Sequence, residues 1–122
     1  MYTKFGEFVR VLRIKNHQVM GDMAKFLGTT TPFLSAVENG RKNVPKEWLS
    51  IISDYYRLSD DERKELEEAI EESKLQTKIN MKDSSEMQRK VALQFARSFD
   101  EIDDETAERI IALLQKKDGG GE

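Results

Sequence analysis

Apolar residues recur every three or four positions along most of this chain, and this spacing constrains its fold more than any other feature. An α-helix turns once per 3.6 residues, so this spacing gathers apolar side chains on one helix face, whereas strands require strict alternation. Phe5, Phe8, Val9 and Leu12 are the clearest example, with Thr3 as a candidate N-cap. The pattern predicts an all-α chain.

Residues that start and stop helices divide this pattern into seven short segments. The predicted segments begin near Thr3, at residue 19, near Thr31, at Pro45, after Ser59, after Ser85 and after Asp103 or Asp104. Gly28 and Gly40 are expected to end the second and third of them. The apolar residues expected to face inward in the last two segments are Met87, Val91, Ala92, Phe95, Phe99, Ala107, Ile110, Ile111 and Leu114.

Charge divides the chain into two halves of opposite sign. Residues 1–57 contain nine Lys and Arg and five Asp and Glu, which leaves +4, whereas residues 58–122 contain eleven and eighteen, which leaves −7. The basic first half is suited to contact phosphates, and the acidic second half is not. Solvated helix surface is the alternative explanation for most of the acidic charge in the second half. We therefore predict a first domain at 1–57, with 73 as an alternative end, an acidic helical extension at 58–117 and a disordered tail at 118–122.

Several classes of site are disfavoured by composition. Cysteine is absent and His17 is the single histidine, which argues against disulfides, thiolate metal sites and His-based catalysis. The acidic cluster at 100–105 lacks the glycine and spacing of an EF-hand loop. We expect no cofactor, no metal and no enzymatic activity. A membrane helix is not expected either, and the default location is cytoplasmic.

The stretch GTTTPFLSAVENG (28–40) has the layout of a turn followed by a DNA-reading helix. Two short helices that meet at a steep angle need a tight turn, which Gly28 permits, and Leu34 and Val37 supply the inward face of the second helix. The residues then left facing outward, wholly or in part, are Thr30, Thr31, Phe33, Ser35, Ala36 and Asn39. A recognition helix presents its N-terminal residues to base edges.

Residues 5–56 resemble the Xre family, the Cro/C1-type helix-turn-helix regulators. The stretches that carry the resemblance are FGEFVRVLRIKN, MGDMAKFLG and TPFLSAVENGRKNVP, of which FLSAVENGR is the most specific. The resemblance implies a five-helix, lambda-repressor-like helix-turn-helix domain followed by a C-terminal helical extension. It covers a little under half of the chain and does not extend to the C-terminal half.

The resemblance also assigns roles to individual residues. It implies DNA contacts by Gln18, Met20, Thr30, Thr31, Phe33, Ser35, Asn39, Arg41 and Lys42, and a structural ion pair between Arg13 and Glu38. The family's usual Thr-Gln at the start of the second helix is Val19-Met20 here, so Gln18 would serve only with a shifted register. Capping alone is the alternative for the two threonines, and solvated loop charge is the alternative for Arg41 and Lys42.

Function follows from these assignments as a set of hypotheses. The first is a DNA-binding transcription regulator, a dimeric repressor that places helix 31–39 in the major groove of double-stranded DNA. The second is an antitoxin that neutralises a toxin partner and represses its own operon. A non-DNA interaction module remains a third, and the C-terminal half is expected to form a homodimer, to receive a protein partner or to complete the monomer core.

Overall fold

The computed structural model describes the backbone of residues 1–120 and the side chains of residues 1–115. All regular structure in this range is helical, so the all-α prediction is confirmed. The helices are α1 (Lys4–Lys15), α2 (Met20–Leu27), α3 (Thr31–Glu38), α4 (Trp48–Tyr55), α5 (Asp60–Glu72), α6 (Glu86–Ser98) and α7 (Asp104–Gly120), with a 3-10 turn at Phe99–Glu101. Among the helices described, none is long and apolar enough to cross a lipid bilayer.

The chain divides into two compact units, residues 1–78 and residues 79–122. The first unit contains α1 to α5, and its core is built from residues at helical spacing on each of these helices. The buried apolar residues are Phe5, Val9, Leu12, Met23, Ala24, Leu27, Leu34, Val37, Trp48, Ile52, Leu66 and Ala69. The inward faces predicted for α1, α2 and α3 are therefore the buried ones.

The fifth helix lies in the first unit, and the predicted division after residue 57 has to be moved. Leu66 is fully buried among residues of α1 to α4, and α5 packs against α1 and α4. At its C-terminal end, the Ser73 hydroxyl accepts a hydrogen bond from the Phe5 backbone N–H (3.1 Å) and donates one to the Ala69 carbonyl (2.7 Å). Because α5 completes the core and anchors α1, the unit extends past the alternative end at 73 to residue 78.

The second unit contains α6, the 3-10 turn and α7, and it has no buried side chain among residues 79–115. Both helices start where predicted, with the Ser85 hydroxyl accepting from Gln88 N–H and the Asp103 carboxylate accepting from Thr106 N–H. The prediction that their apolar stripes face inward is wrong for the exposed residues Met87, Val91, Phe95, Phe99, Ile111 and Leu114, whereas Ala92, Ala107 and Ile110 are half-buried. Within the described part of the chain, α6 and α7 do not pack closely on each other. Of the predicted tail, 118–120 lie within α7 and 121–122 lie outside the described residues.

Candidate nucleic-acid interface

A three-residue turn separates α2 from α3. Gly28 takes a left-handed conformation (φ 69°), which a residue without a Cβ adopts at no steric cost. The Gly28 N–H donates to the Lys25 carbonyl (3.1 Å) and the Thr29 N–H to the Ala24 carbonyl (2.9 Å), which is the bond pair of a Schellman motif. The turn therefore satisfies two carbonyls at the end of α2 that have no partner within the helix, and it redirects the chain into α3.

The N-terminus of α3 is capped and open to solvent. The Thr30 hydroxyl accepts a hydrogen bond from the Phe33 N–H (3.2 Å), and Pro32 lies in the first turn, where no helical N–H is required. Thr30, Thr31 and Pro32 are all exposed. A helix N-terminus with a free outer face presents its partial positive charge and remaining N–H groups to an approaching anion.

The outward face of α3 consists of small and polar side chains. Leu34, Val37 and Glu38 are buried, whereas Thr31 and Pro32 are exposed and Ser35, Ala36 and Asn39 are half-buried. These five residues form the outward face of α3. The resulting surface is narrow and without long side chains, and it permits the close approach that a major groove requires.

Two predicted contact residues on α3 have partners within the protein. Phe33 is half-buried, with its ring edge-on to Trp48 at 6.0 Å between centroids, so it belongs to the core side of α3 and not to its outward face. Asn39 uses its Nδ2 to donate to the Ser35 carbonyl (2.9 Å). Asn39 therefore completes the last turn of α3, and only the other edge of its amide is left for a contact outside the protein.

Arg41 and Lys42 lie in a fixed loop directly after α3. Gly40 is left-handed (φ 81°), and the Arg41 and Lys42 N–H groups both donate to the Ala36 carbonyl, at 2.9 and 3.3 Å. Both side chains are exposed, and neither joins an ion pair in the part of the chain that the structure describes. The loop backbone is thus held in place while two unpaired positive charges extend beside the outward face of α3.

A buried ion pair holds α3 against α1. Arg13 Nη1 lies 2.6 Å from Glu38 Oε2, and Nη2 donates to Oε1 at 3.0 Å, so the pair is bidentate. Arg13 Nη1 also contacts the Met23 sulfur at 3.2 Å, which ties in α2. The resemblance to the Xre family implies this pair. The three helices of the candidate interface therefore share one polar junction inside the core.

The start of α2 differs from the expected contact geometry. Met20 is half-buried against the core. Gln18 is held by α4: its Nε2 donates to the Tyr55 hydroxyl (3.0 Å), and the Tyr56 hydroxyl donates to its Oε1 (2.6 Å). Gln18 therefore has a structural role, joining the loop before α2 to the end of α4. Sequence reasoning missed both tyrosine partners because they lie 37 and 38 residues further along the chain.

Comparison with known proteins decides the family of this fold. The family model described as "Helix-turn-helix domain" matches residues 4–66, which is just over half of the chain. The chain belongs to the helix-turn-helix domain family. No curated protein and no solved structure was similar enough to give a match.

The helix-turn-helix match lies within the first structural unit, residues 1–78. It begins at the first residue of α1 and ends at Leu66, the buried residue by which α5 enters the core. Membership of this family points to a DNA-binding regulator. Among the described residues, no group of three or more His, Cys, Asp or Glu side chains is placed to hold a metal ion.

The tyrosine contact beside Gln18 should make the stability of the helix-turn-helix domain sensitive to alkaline pH. Burial and the neighbouring Tyr55 raise the pKa of Tyr56 to about 12, whereas an unfolded tyrosine titrates near 10. The stabilisation from neutral Tyr56 is therefore complete below pH 10 and is lost as the pH rises from about 10 to about 12.

Urea unfolding at pH 8 and at pH 11 measures this loss. We expect Tyr56→Phe to reduce it, while Tyr2→Phe, which changes a tyrosine outside the Gln18 contact, should behave like the wild type. Equal losses in all three proteins would show that Tyr56 does not carry the effect.

Proposed function

We propose that this protein is a sequence-specific transcription regulator of the Xre (Cro/C1) type, a repressor that binds its operator as a homodimer. The observation that carries the proposal is the outward face of α3, which is free of bulky side chains and has Arg41 and Lys42 beside it. A groove-reading helix flanked by phosphate-binding cations is the arrangement by which such regulators bind DNA.

The chemistry of these side chains assigns them to two kinds of DNA contact, one to phosphates and one to base edges. Arg41 and Lys42 carry charge without sequence information, so they set affinity and register through the phosphates. Thr31 and Ser35 offer hydroxyls that donate or accept at base edges, and the Ala36 methyl fits against a thymine methyl. Because no bidentate Arg or Gln lies on this face, sequence-dependent DNA shape contributes to the choice of operator.

Most acidic residues of the first unit lie on α5, which packs against α1 and α4. The segment after α5 reaches the loop that follows α3, where the Leu75 N–H donates to the Asn43 side chain (3.0 Å). In the antitoxin variant of the proposal, this exposed acidic helix would be the surface that meets a basic toxin. The regulator remains the preferred function because the α3 surface supports it without a second protein.

Fluorescence anisotropy with duplexes selected from a random pool tests the proposal. We expect Arg41→Ala to weaken selected and unselected duplexes alike, by about tenfold, and to reduce the salt slope of binding by about 1. Thr31→Ala should weaken selected duplexes by about 1 kcal/mol and leave unselected ones unchanged. Lys64→Ala, which removes an exposed cation from α5, is the matched control. DNA affinity that is unchanged in Arg41→Ala would refute this placement of the phosphate-binding face.

A further inference from the structure

The first unit carries an open groove between α1 and α5. Its volume is about 520 Å³, and every residue that lines it belongs to one of these two helices. The lining extends from Lys4 to Lys15, the whole of α1, which is about 17 Å at the rise of 1.5 Å per helical residue. The groove is therefore long enough to hold about three turns of another helix.

The floor of the groove is apolar. It consists of Phe8, Val11, Leu12 and Ala69. Leu12 and Ala69 are buried in the core, whereas Phe8 is half-buried and Val11 is 47% exposed. An apolar side chain placed against Phe8 and Val11 would remove this surface, and its own, from water.

A row of carboxylates forms the α5 wall of the groove. Its members follow one another at three or four residues and therefore lie along one side of the helix: Glu62, Glu65, Glu68 and Glu72. Like charges at this spacing repel each other, and none of the four forms an ion pair in the part of the chain that the structure describes. The row is therefore a concentration of negative charge that the described residues leave uncompensated.

The α1 wall does not reverse this charge. It adds a fifth carboxylate, Glu7, and its two cations, Lys4 and Lys15, lie at the two ends of the helix. The lining as a whole has a net charge of −3, and its charged residues between those ends are all acidic. The middle of the groove thus combines an apolar floor with acidic walls.

Charge and shape together indicate what the groove binds. An apolar floor between carboxylates is complementary to a helix that carries apolar side chains on one face and Lys or Arg beside them. A second copy that presented the same groove would oppose like charges, and duplex DNA would bring its phosphates against carboxylates. A basic amphipathic helix is the occupant that satisfies both the floor and the walls.

We propose that the α1–α5 groove binds a basic amphipathic helix of a protein partner. The apolar side chains of that helix pack on Phe8 and Val11, and its cations pair with the carboxylates of α5, such as Glu68. No residue of α2, α3 or the loop that carries Arg41 lines the groove, so the partner and DNA use different surfaces. The proposal goes beyond DNA binding and does not depend on it, and it narrows the surface required by the antitoxin alternative to one groove.

Calorimetric titration of the full chain with a synthetic peptide tests the acidic wall. The probe is a peptide of about 14 residues, close to four turns, with Leu and Lys in amphipathic helical order. At about 0.15 M salt, where the Debye length is about 8 Å, we expect saturable binding that Glu68→Lys weakens by about fivefold. Glu67→Lys is the matched control: it makes the same charge change at an exposed residue of α5 outside the lining and should leave binding unchanged.

A second pair of variants tests the apolar floor. Val11→Gln should weaken the peptide by about fivefold, because the Leu side chains lose an apolar contact. Ile14→Gln changes an exposed apolar residue of α1 that does not line the groove, so it should bind like the wild type. Circular dichroism checks that all four variants are folded, which the exposure of these side chains predicts.

The outcomes separate a specific groove from general attraction by charge. Weakening in Glu68→Lys and Val11→Gln, with the two controls unchanged, supports the groove. Three results overturn it: a peptide that does not bind, equal weakening by Glu67→Lys and Glu68→Lys, or equal binding of a peptide of the same composition in non-amphipathic order. No DNA is present, so such a failure leaves the DNA-binding function standing. Conversely, a chain that binds the peptide as expected and no duplex would support the groove and refute the DNA-binding function.

Discussion

Glu38→Ala should lower the free energy of unfolding of the first unit by about 3–5 kcal/mol, the cost of removing one partner from a buried ion pair. Glu38 is fully buried, and its carboxylate is the bidentate partner of Arg13, which is itself 5% exposed. Without it, the Arg13 guanidinium would remain in the core with only the Met23 sulfur as a partner. Urea unfolding followed by circular dichroism measures the change.

Two variants make the Glu38→Ala result specific. Glu47→Ala removes an exposed carboxylate that makes no capping hydrogen bond, so its effect should be within about 0.5 kcal/mol. The double change Arg13→Met with Glu38→Leu should recover most of the lost stability, because a buried pair replaced by apolar residues of similar volume costs little. A loss in Glu38→Ala no larger than that in Glu47→Ala would contradict the role of the pair.

Gly6→Ala should destabilise the same junction by about 3 kcal/mol, at the upper end of the range for overpacking, because the obstacle is backbone. A Cβ at Gly6 would collide with the Glu38 carbonyl oxygen. This oxygen is held in place, since it accepts hydrogen bonds from the Thr3 N–H (2.9 Å) and the Thr3 hydroxyl (3.1 Å). Helix α1 would have to move away from the end of α3, which also displaces the Arg13 contact.

The same substitution at Gly21 gives the control. Gly21 lies within α2, and a Cβ added there has no atom within 4 Å. Gly21→Ala should therefore stabilise the protein by about 0.5–1 kcal/mol, as expected for replacing glycine in a helix. Thermal unfolding should give a lower Tm than the wild type for Gly6→Ala and a higher Tm for Gly21→Ala. If Gly6→Ala were as stable as Gly21→Ala, the close approach of α1 to α3 would not exist in solution.

Local sequence rules predicted the elements that carry the interface. Thr30, Gly28 and Gly40 mark the ends of α2 and α3 through capping and positive φ, which depend on neighbours in sequence. The spacing of Leu34 and Val37 then determines which face of α3 is inward. Phe33 was misplaced because helical position alone did not show that Trp48 lies within reach of its ring.

Long-range contacts account for what the sequence did not predict. Periodicity shows which face of a helix is apolar and not which element covers it, so Leu66 of α5 was assigned to the extension although it completes the first core. The same reasoning predicted an inward position for Phe95 of α6, which is 41% exposed. Hydrogen bonds such as those of Gln18 leave no local signal, since their partners are set by the tertiary fold.

The most direct measurement of the central claim is a titration of labelled duplex DNA with the full chain across a series of salt concentrations. Because Arg41 and Lys42 release counterions from the phosphates, we expect the affinity for DNA to fall steeply as the salt concentration rises. We also expect selected duplexes to bind more tightly than unselected ones. Titrations that remain flat for every duplex in dilute buffer, with the chain shown to be folded, would contradict the account.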